Sequence, residues 1–138
     1  MTVKKFLNQP YHFQKRINAN FEQIERCRSL AEKVTSVLSH DRVSSFFDGS
    51  RLEAAVEKII ELEDEIYSDV IHMLDAIREV HVAIDKVKDE RYKTLLQLRY
   101  LNYLTWEEVA IEMNYGWQWI HKMHSKALFV IKEAIESD

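Results

Sequence analysis

Between Leu52 and Val87 the chain repeats apolar residues at alternating steps of four and three. Leu52, Val56, Ile59, Ile66, Val70, Met73, Ile77, Val80, Ile84 and Val87 hold the pattern, and Glu63 is its one break. About 36 residues at 1.5 Å each make a rod of roughly 54 Å. A helix turns once in 3.6 residues, so a sustained seven-residue repeat keeps its stripe on a partner only by left-handed supercoiling. Such a rod cannot bury its stripe against itself, so a partner helix is implied.

Phe13, Ile17, Ile24, Cys27, Ala31, Val34 and Leu38 supply it, again at steps of four and three, with Asn20 as the polar member. Phe21, Leu30 and Val37 widen this stripe. Residues 1 to 10 read as a short lead-in that ends at Pro10, with helix from Tyr11. His40 to Gly49 is the one stretch of loop composition. Its Phe46 and Phe47 are expected to tuck onto the adjoining helices, since exposed paired aromatics are unfavourable. Ser50 and Glu53 form a capping-box pattern for the long helix. The short loop makes the two helices antiparallel neighbours. A buried Asn20 fixes register or oligomeric state in one reading and is a tolerated edge position in another. Ile60, Leu62, Ile71 and Leu74 lie beside the long seam, more surface than one hairpin covers, so a homodimer through these helices is expected.

A second feature follows in Thr105–Leu128. Thr105 with Glu108 three places on is a capping box. Val109 and Met113 share a face, and small Ala110 lets another helix approach. Asn114 suits the left-handed turn that closes a helix, and Gly116 is an acceptable N-cap for the next. Ile120, Met123 and Ala127 face back to Val109 and Met113. This is helix-turn-helix spacing, although a plain helical hairpin shares it. Off the apolar face lie Trp117, Gln118, His121, Lys122 and Ser125. Tyr115 to Lys132 holds no Asp or Glu, while Lys122, Lys126 and Lys132 are positive, a surface that tolerates DNA. Asp89 is the expected N-cap of a helix from Glu90 to about Leu101, whose Tyr92, Leu95, Leu96 and Leu98 pack under the motif. Leu128, Ile131 and Ile135 carry the last helix onward.

Two Gly and one Pro in 138 residues leave few turns, which fits an all-α chain of a few long helices. The expected division is 1–88, a coiled-coil-like antiparallel helical hairpin for oligomerisation, and 89–138, a helix-turn-helix head. The net charge of −4 opposes non-specific DNA binding mildly. The acid is unevenly placed, however: residues 51 to 87 carry ten Asp or Glu against four Lys or Arg, and screening confines its reach to about 8–10 Å. MTVKKFLNQP has no apolar core after its lysines, so no signal peptide is expected. No apolar run approaches the roughly 18 residues that span a bilayer. Cys27 is the single cysteine and fits a reducing, cytoplasmic setting as a buried helix residue.

Enzymatic chemistry finds no foothold. His121 and His124 are three apart, but a metal needs three or four ligands and no third is evident. The neighbouring carboxylates Glu107–Glu108 and Asp64–Glu65 point different ways on a helix and suit caps and a solvated face. The two glycines are far apart, so there is no phosphate loop. No cofactor, metal or catalytic residue is expected. Trp117 is expected exposed at the head of its helix, Trp119 half-buried, and Trp106 over the junction with the preceding helix.

The segment LQLRYLNYLTWEEVAIEMNYGWQWIHKMHSKAL resembles region 4 of bacterial sigma factors, where a leading LRLRF-like helix precedes a T-x-E-E-[IV]-A segment. FLNQ, RIN…EQIE…RSLA…VTS and EAAVEKIIELEDEI extend the likeness over nearly the whole chain, to small phage and prophage proteins of Gram-positive bacteria similar in layout to late-gene regulators of the ArpU and RinA type. The resemblance implies a DNA-binding transcriptional regulator of phage or prophage genes. On that reading Gln118, His121, Lys122 and Ser125 face the major groove, Trp117 sits at its edge, and Lys126 holds phosphate. The chain departs from the sigma pattern at Gly116, Trp117 and Trp119, where Ser or Thr and several Arg are usual. Two alternatives share these features. One is a small-terminase-like DNA-packaging component, which forms rings of many subunits. The other is a protein-interaction module docking on RNA polymerase.

Overall fold

The computed structural model describes residues 1–38 and 45–137, and no side chain between 37 and 48. The described chain is all-helical, without a strand. Its helices are α1 (Val3–Leu7), α2 (Gln9–Leu38), α3 (Ser45–Asp85), α4 (Glu90–Leu96), α5 (Trp106–Met113) and α6 (Trp117–Glu136), with α4 prolonged by a π-helical turn, Gln97–Leu101. Two compact units divide the chain: residues 14–71, and residues 1–13 with 72–138.

In the first unit α2 and α3 run antiparallel, fixed by two polar ties. The Asn20 amide donates to Glu65 Oε2 at 3.1 Å, and the Arg16 guanidinium pairs with Asp69 at 3.3 Å. Ile17, Ile24, Leu62 and Ile66 are buried around them. Asn20 itself is buried, so the polar member of the α2 stripe lies inside the contact.

The α3 stripe differs from the spacing read in the sequence. Ile59 and Ile66 hold their places, but Ala55, Leu62 and Asp69 turn inward where Val56, Glu63 and Val70 were expected. Val56 and Val70 are exposed. Shifting that half of the stripe by one residue buries Leu62 instead of the Glu63 carboxylate, which spares a desolvation cost. Asp69 is the charge admitted in exchange, and Arg16 covers one of its oxygens.

Three further expectations change. Ser50 starts no helix, because α3 begins at Ser45 and passes through it; one Gly inside a helix costs only about 1 kcal/mol. The expected loop is described only from Ser45 onward, and the packing of Phe46 and Phe47 lies outside the described residues. The lead-in is also helical. Thr2 caps α1 by accepting from the Lys5 N–H at 3.1 Å, and Leu7 and Pro10 are buried. Pro10 is tolerated in the first turn of α2, where its missing N–H would be free in any case.

In the second unit Leu7, Val80, Ala83, Ile84, Val87, Leu95, Leu96, Tyr100, Val109, Ile120, Met123, Ala127 and Ile131 form one core. Residues 1–13 and 72–88 thus share the core of the segment that follows. Asp89 accepts from the Arg91 N–H and caps α4 as expected. The helix then widens: the Asn102 N–H reaches the Gln97 carbonyl at 3.0 Å and the Leu104 N–H the Leu98 carbonyl at 3.1 Å. Tyr103 closes it at φ 60°. This wide turn is the base on which α5 and α6 are set.

Candidate nucleic-acid interface

α5 starts on the capping box that Thr105 and Glu108 encode. The Glu108 N–H donates to Thr105 Oγ1 at 3.2 Å, and the Thr105 N–H to the Glu108 carboxylate at 3.1 Å. It ends on Asn114 at φ 59°, ψ 42°. The Tyr115 N–H returns to the Ala110 carbonyl at 3.0 Å and the Asn114 N–H to that of Ile111 at 3.2 Å, the paired bonds of a Schellman close. Gly116 follows in extended conformation at φ −72°, and a Cβ there would meet nothing. Glycine is therefore not demanded by the turn. It leaves the first amides of α6 without a side-chain cap.

α6 buries Ile120, Met123, His124, Ala127 and Ile131. Val109 of α5 is buried in the same core and Met113 is partly buried. The opposite face exposes Trp117, Gln118, Trp119, His121, Lys122, Ser125, Lys126 and Phe129. All six residues singled out from the sequence, Trp117, Gln118, His121, Lys122, Ser125 and Lys126, therefore lie on one solvent face. Gly116, Trp117, Gln118, Trp119 and Lys122 line a shallow recess at its start.

Trp119 is 49% exposed, against 53% for Trp117, so both indoles reach solvent. Adjacency to buried Ile120 did not decide this: one residue along a helix is a turn of about 100°. Sequence reasoning also passed over Phe129, 63% exposed, and Ile111, 79% exposed. Phe129 lies seven residues after Lys122 and eleven after Gln118, spacing that marks the same face.

The face is anchored from behind by aromatic contacts. The Arg99 guanidinium lies 4.6 Å over the Trp106 ring and donates to the Leu104 carbonyl at 2.8 Å. Trp106 meets His124 edge-on at 4.3 Å, and its ring lies 5.7 Å from that of His121. His121 in turn meets Trp117 edge-on at 4.4 Å. Beneath them the Tyr100 hydroxyl and His124 Nε2 share a 2.6 Å hydrogen bond. Burial first, then the positive charges of Lys4 and Arg99 and the neighbouring His121, push the His124 pKa down to about 4. Burial pushes Tyr100 up to about 12. Both are neutral near pH 7, as a buried pair must be without a counter-charge. His124 is thus a structural residue, and His121 is the exposed one of the two.

The charge is unevenly divided. Residues 14–71 hold twelve acids against eight bases, while the unit carrying α6 balances eleven with eleven. Among the described residues no group of three His, Cys, Asp or Glu is placed to hold a metal ion, and no helix is long and apolar enough to cross a membrane. Compared with family models, curated proteins and solved structures, the chain finds no match.

Proposed function

We propose that this chain is a phage- or prophage-type DNA-binding regulator of transcription. In this reading α5 and α6 form a sigma-region-4-like helix-turn-helix, and α2 and α3 form a coiled-coil-like hairpin through which the protein dimerises. The α6 face carries the proposal: Trp117, Gln118, His121, Lys122, Ser125 and Lys126 are exposed together, and no acid lies between residues 115 and 132. Gln118, His121, Lys122 and Ser125 offer donors and acceptors to base edges. Lys126 and the uncapped amides at the start of α6 suit phosphates, which position a protein on DNA without reading sequence. A dimer presents two such faces, and the spacing between them sets the half-site separation.

The test is a titration of labelled duplexes by fluorescence anisotropy at about 50 and about 200 mM salt, where the slope of affinity against salt reports the phosphates engaged. Duplexes from the DNA flanking the gene are expected to bind more tightly than random ones. Lys122→Glu is expected to weaken binding at least tenfold, about 1.4 kcal/mol, with helicity unchanged. Unchanged affinity would remove α6 from the interface.

A second reading has its own observation. Trp119, Phe129 and Ile111 are large, apolar and exposed, a composition suited to a protein partner such as RNA polymerase. Absence of salt-dependent DNA binding would favour it.

A further inference from the structure

α3 carries a second heptad stripe beside the one facing α2. Val56, Ile60, Glu63, Tyr67 and Val70 recur at steps of four, three, four and three. Val56 is 46% exposed, Ile60 54%, Tyr67 71% and Val70 38%. Such a repeat on a helix whose first stripe is already filled has the form of another packing seam. α2 offers nothing equivalent. Its large exposed apolar side chains between residues 14 and 36 are Phe21 and Leu30, which lie on opposite flanks of the helix. This same displacement explains why the sequence placed Val56, Glu63 and Val70 in the α2-facing stripe: both stripes share a period, and only packing tells them apart.

We infer that the stripe is the contact between two copies of this chain, with α3 antiparallel to α3 about a two-fold axis near residue 65. The inference rests on the dimer of the proposed function and names its seam. The register comes from the sequence. Placing Ile60 against Val70 of the second copy sets Glu63 against Tyr67 of that copy, and the two-fold repeats both pairs. The one charged member of the stripe then meets the one member with a hydroxyl donor, and the Tyr67 O–H can donate to the Glu63 carboxylate. The apolar Ile60 and Val70 meet each other. A parallel in-register contact would set Glu63 against Glu63, like charges facing across a seam, which is unfavourable. A surface that complements itself under a two-fold axis is what a closed homodimer requires.

The test uses the full chain with Cys27 replaced by Ser. Ile60→Cys and Val70→Cys, each about 15 Å along the rod from its own copy in this register, are purified separately, then mixed and treated with a short bismaleimide. A linked species of about 33 kDa, twice the 16.5 kDa chain, is expected in the mixture and in neither variant alone. Linking of Ile60→Cys to itself would make the contact parallel and overturn the register. No linking in the mixture would overturn it as well.

Light scattering on the unmodified protein separates the two levels. A monomer refutes both the dimer and this seam, while a dimer that fails to link refutes the seam alone. Tyr67→Glu sets acid against Glu63 and is expected to halve the mass, and adding Glu63→Lys is expected to restore it. A monomeric double variant with intact helicity would also sink the inference. DNA affinity is measured independently, so failure of the regulator reading leaves a mark of its own.

Discussion

Lowering the pH should loosen the unit behind the α6 face, and His124 sets how much. An unfolded chain holds this imidazole near its ordinary pKa of 6.5, whereas the folded site depresses it to about 4. A base with a depressed folded pKa is protonated more readily in the unfolded state. Its contribution is therefore intact above pH 6.5 and is lost as the pH falls from there towards 4. Each tenfold difference in proton affinity between the two states corresponds to about 1.4 kcal/mol, so the site puts about 3 kcal/mol at stake, of which about 2 is gone by pH 5.

Trp106, Trp117 and Trp119 all belong to this unit, so tryptophan emission follows its unfolding selectively. Between pH 7.5 and pH 5 the urea midpoint should drop by roughly 1 M, given a slope of about 1–3 kcal/mol per molar. The control is His124→Phe combined with Tyr100→Phe, which removes both partners of the 2.6 Å bond and leaves no orphaned hydroxyl. That variant should lose much less over the same range. Equal losses in the two proteins would show that other groups carry the acid sensitivity and that burial does not hold His124 neutral.

Two smaller perturbations test the local readings. Thr105→Ala removes the acceptor for the Glu108 N–H and is expected to cost about 1 kcal/mol in urea unfolding, with Thr105→Ser close to wild type; a neutral Thr105→Ala would remove the capping box from the account of α5. In the other unit, Asp69 has one buried oxygen without a hydrogen-bond partner while Arg16 is two-thirds exposed. Replacing a buried ion pair by apolar groups is often neutral or stabilising, so Asp69→Leu should match or exceed wild type in a thermal melt followed by circular dichroism. Arg16→Ala, which leaves the carboxylate uncovered, should melt lower than Asp69→Leu, and the reverse order would refute the argument.

What the sequence disclosed follows the range of the interactions. The Thr105–Glu108 box, the Asn114 close and the Asp89 cap each depend on residues within four positions, so letters alone reveal them. The apolar face of α6 was legible because one period over twenty residues leaves one solution. The inner stripe of α3 was not, because Val56, Ile60, Val70 and Leu62 offer two adjacent stripes of equal period. The aromatic contacts behind α6 were also out of reach. They join Arg99, Tyr100, Trp106, His121 and His124 across a π-helical turn that no local signal announces. Pro10 misled for a simpler reason: it reads as a boundary, yet a first helical turn accepts it.

The start of α6 then poses a question of stability against use. α4 begins with Glu90 behind the Asp89 cap, and α5 with Glu107 and Glu108 behind Thr105. Each places negative charge where the helix dipole and free amides favour it, worth about 0.3–1 kcal/mol at an exposed end. α6 is the longest helix lying wholly in the same unit, and it begins on a bare Gly116 with no acid in its first turn. A Ser at 116 would meet no obstruction and would bring a cap. A sequence shaped for stability alone has no reason to forgo both devices here while using them on the two helices beside it. Free amides in a recess that Lys122 also lines, with no acid in the first turn to repel a phosphate, are what an anion-facing helix end needs. The unclaimed stability at this end favours DNA over a purely apolar partner, since an apolar partner would gain nothing from leaving the amides open.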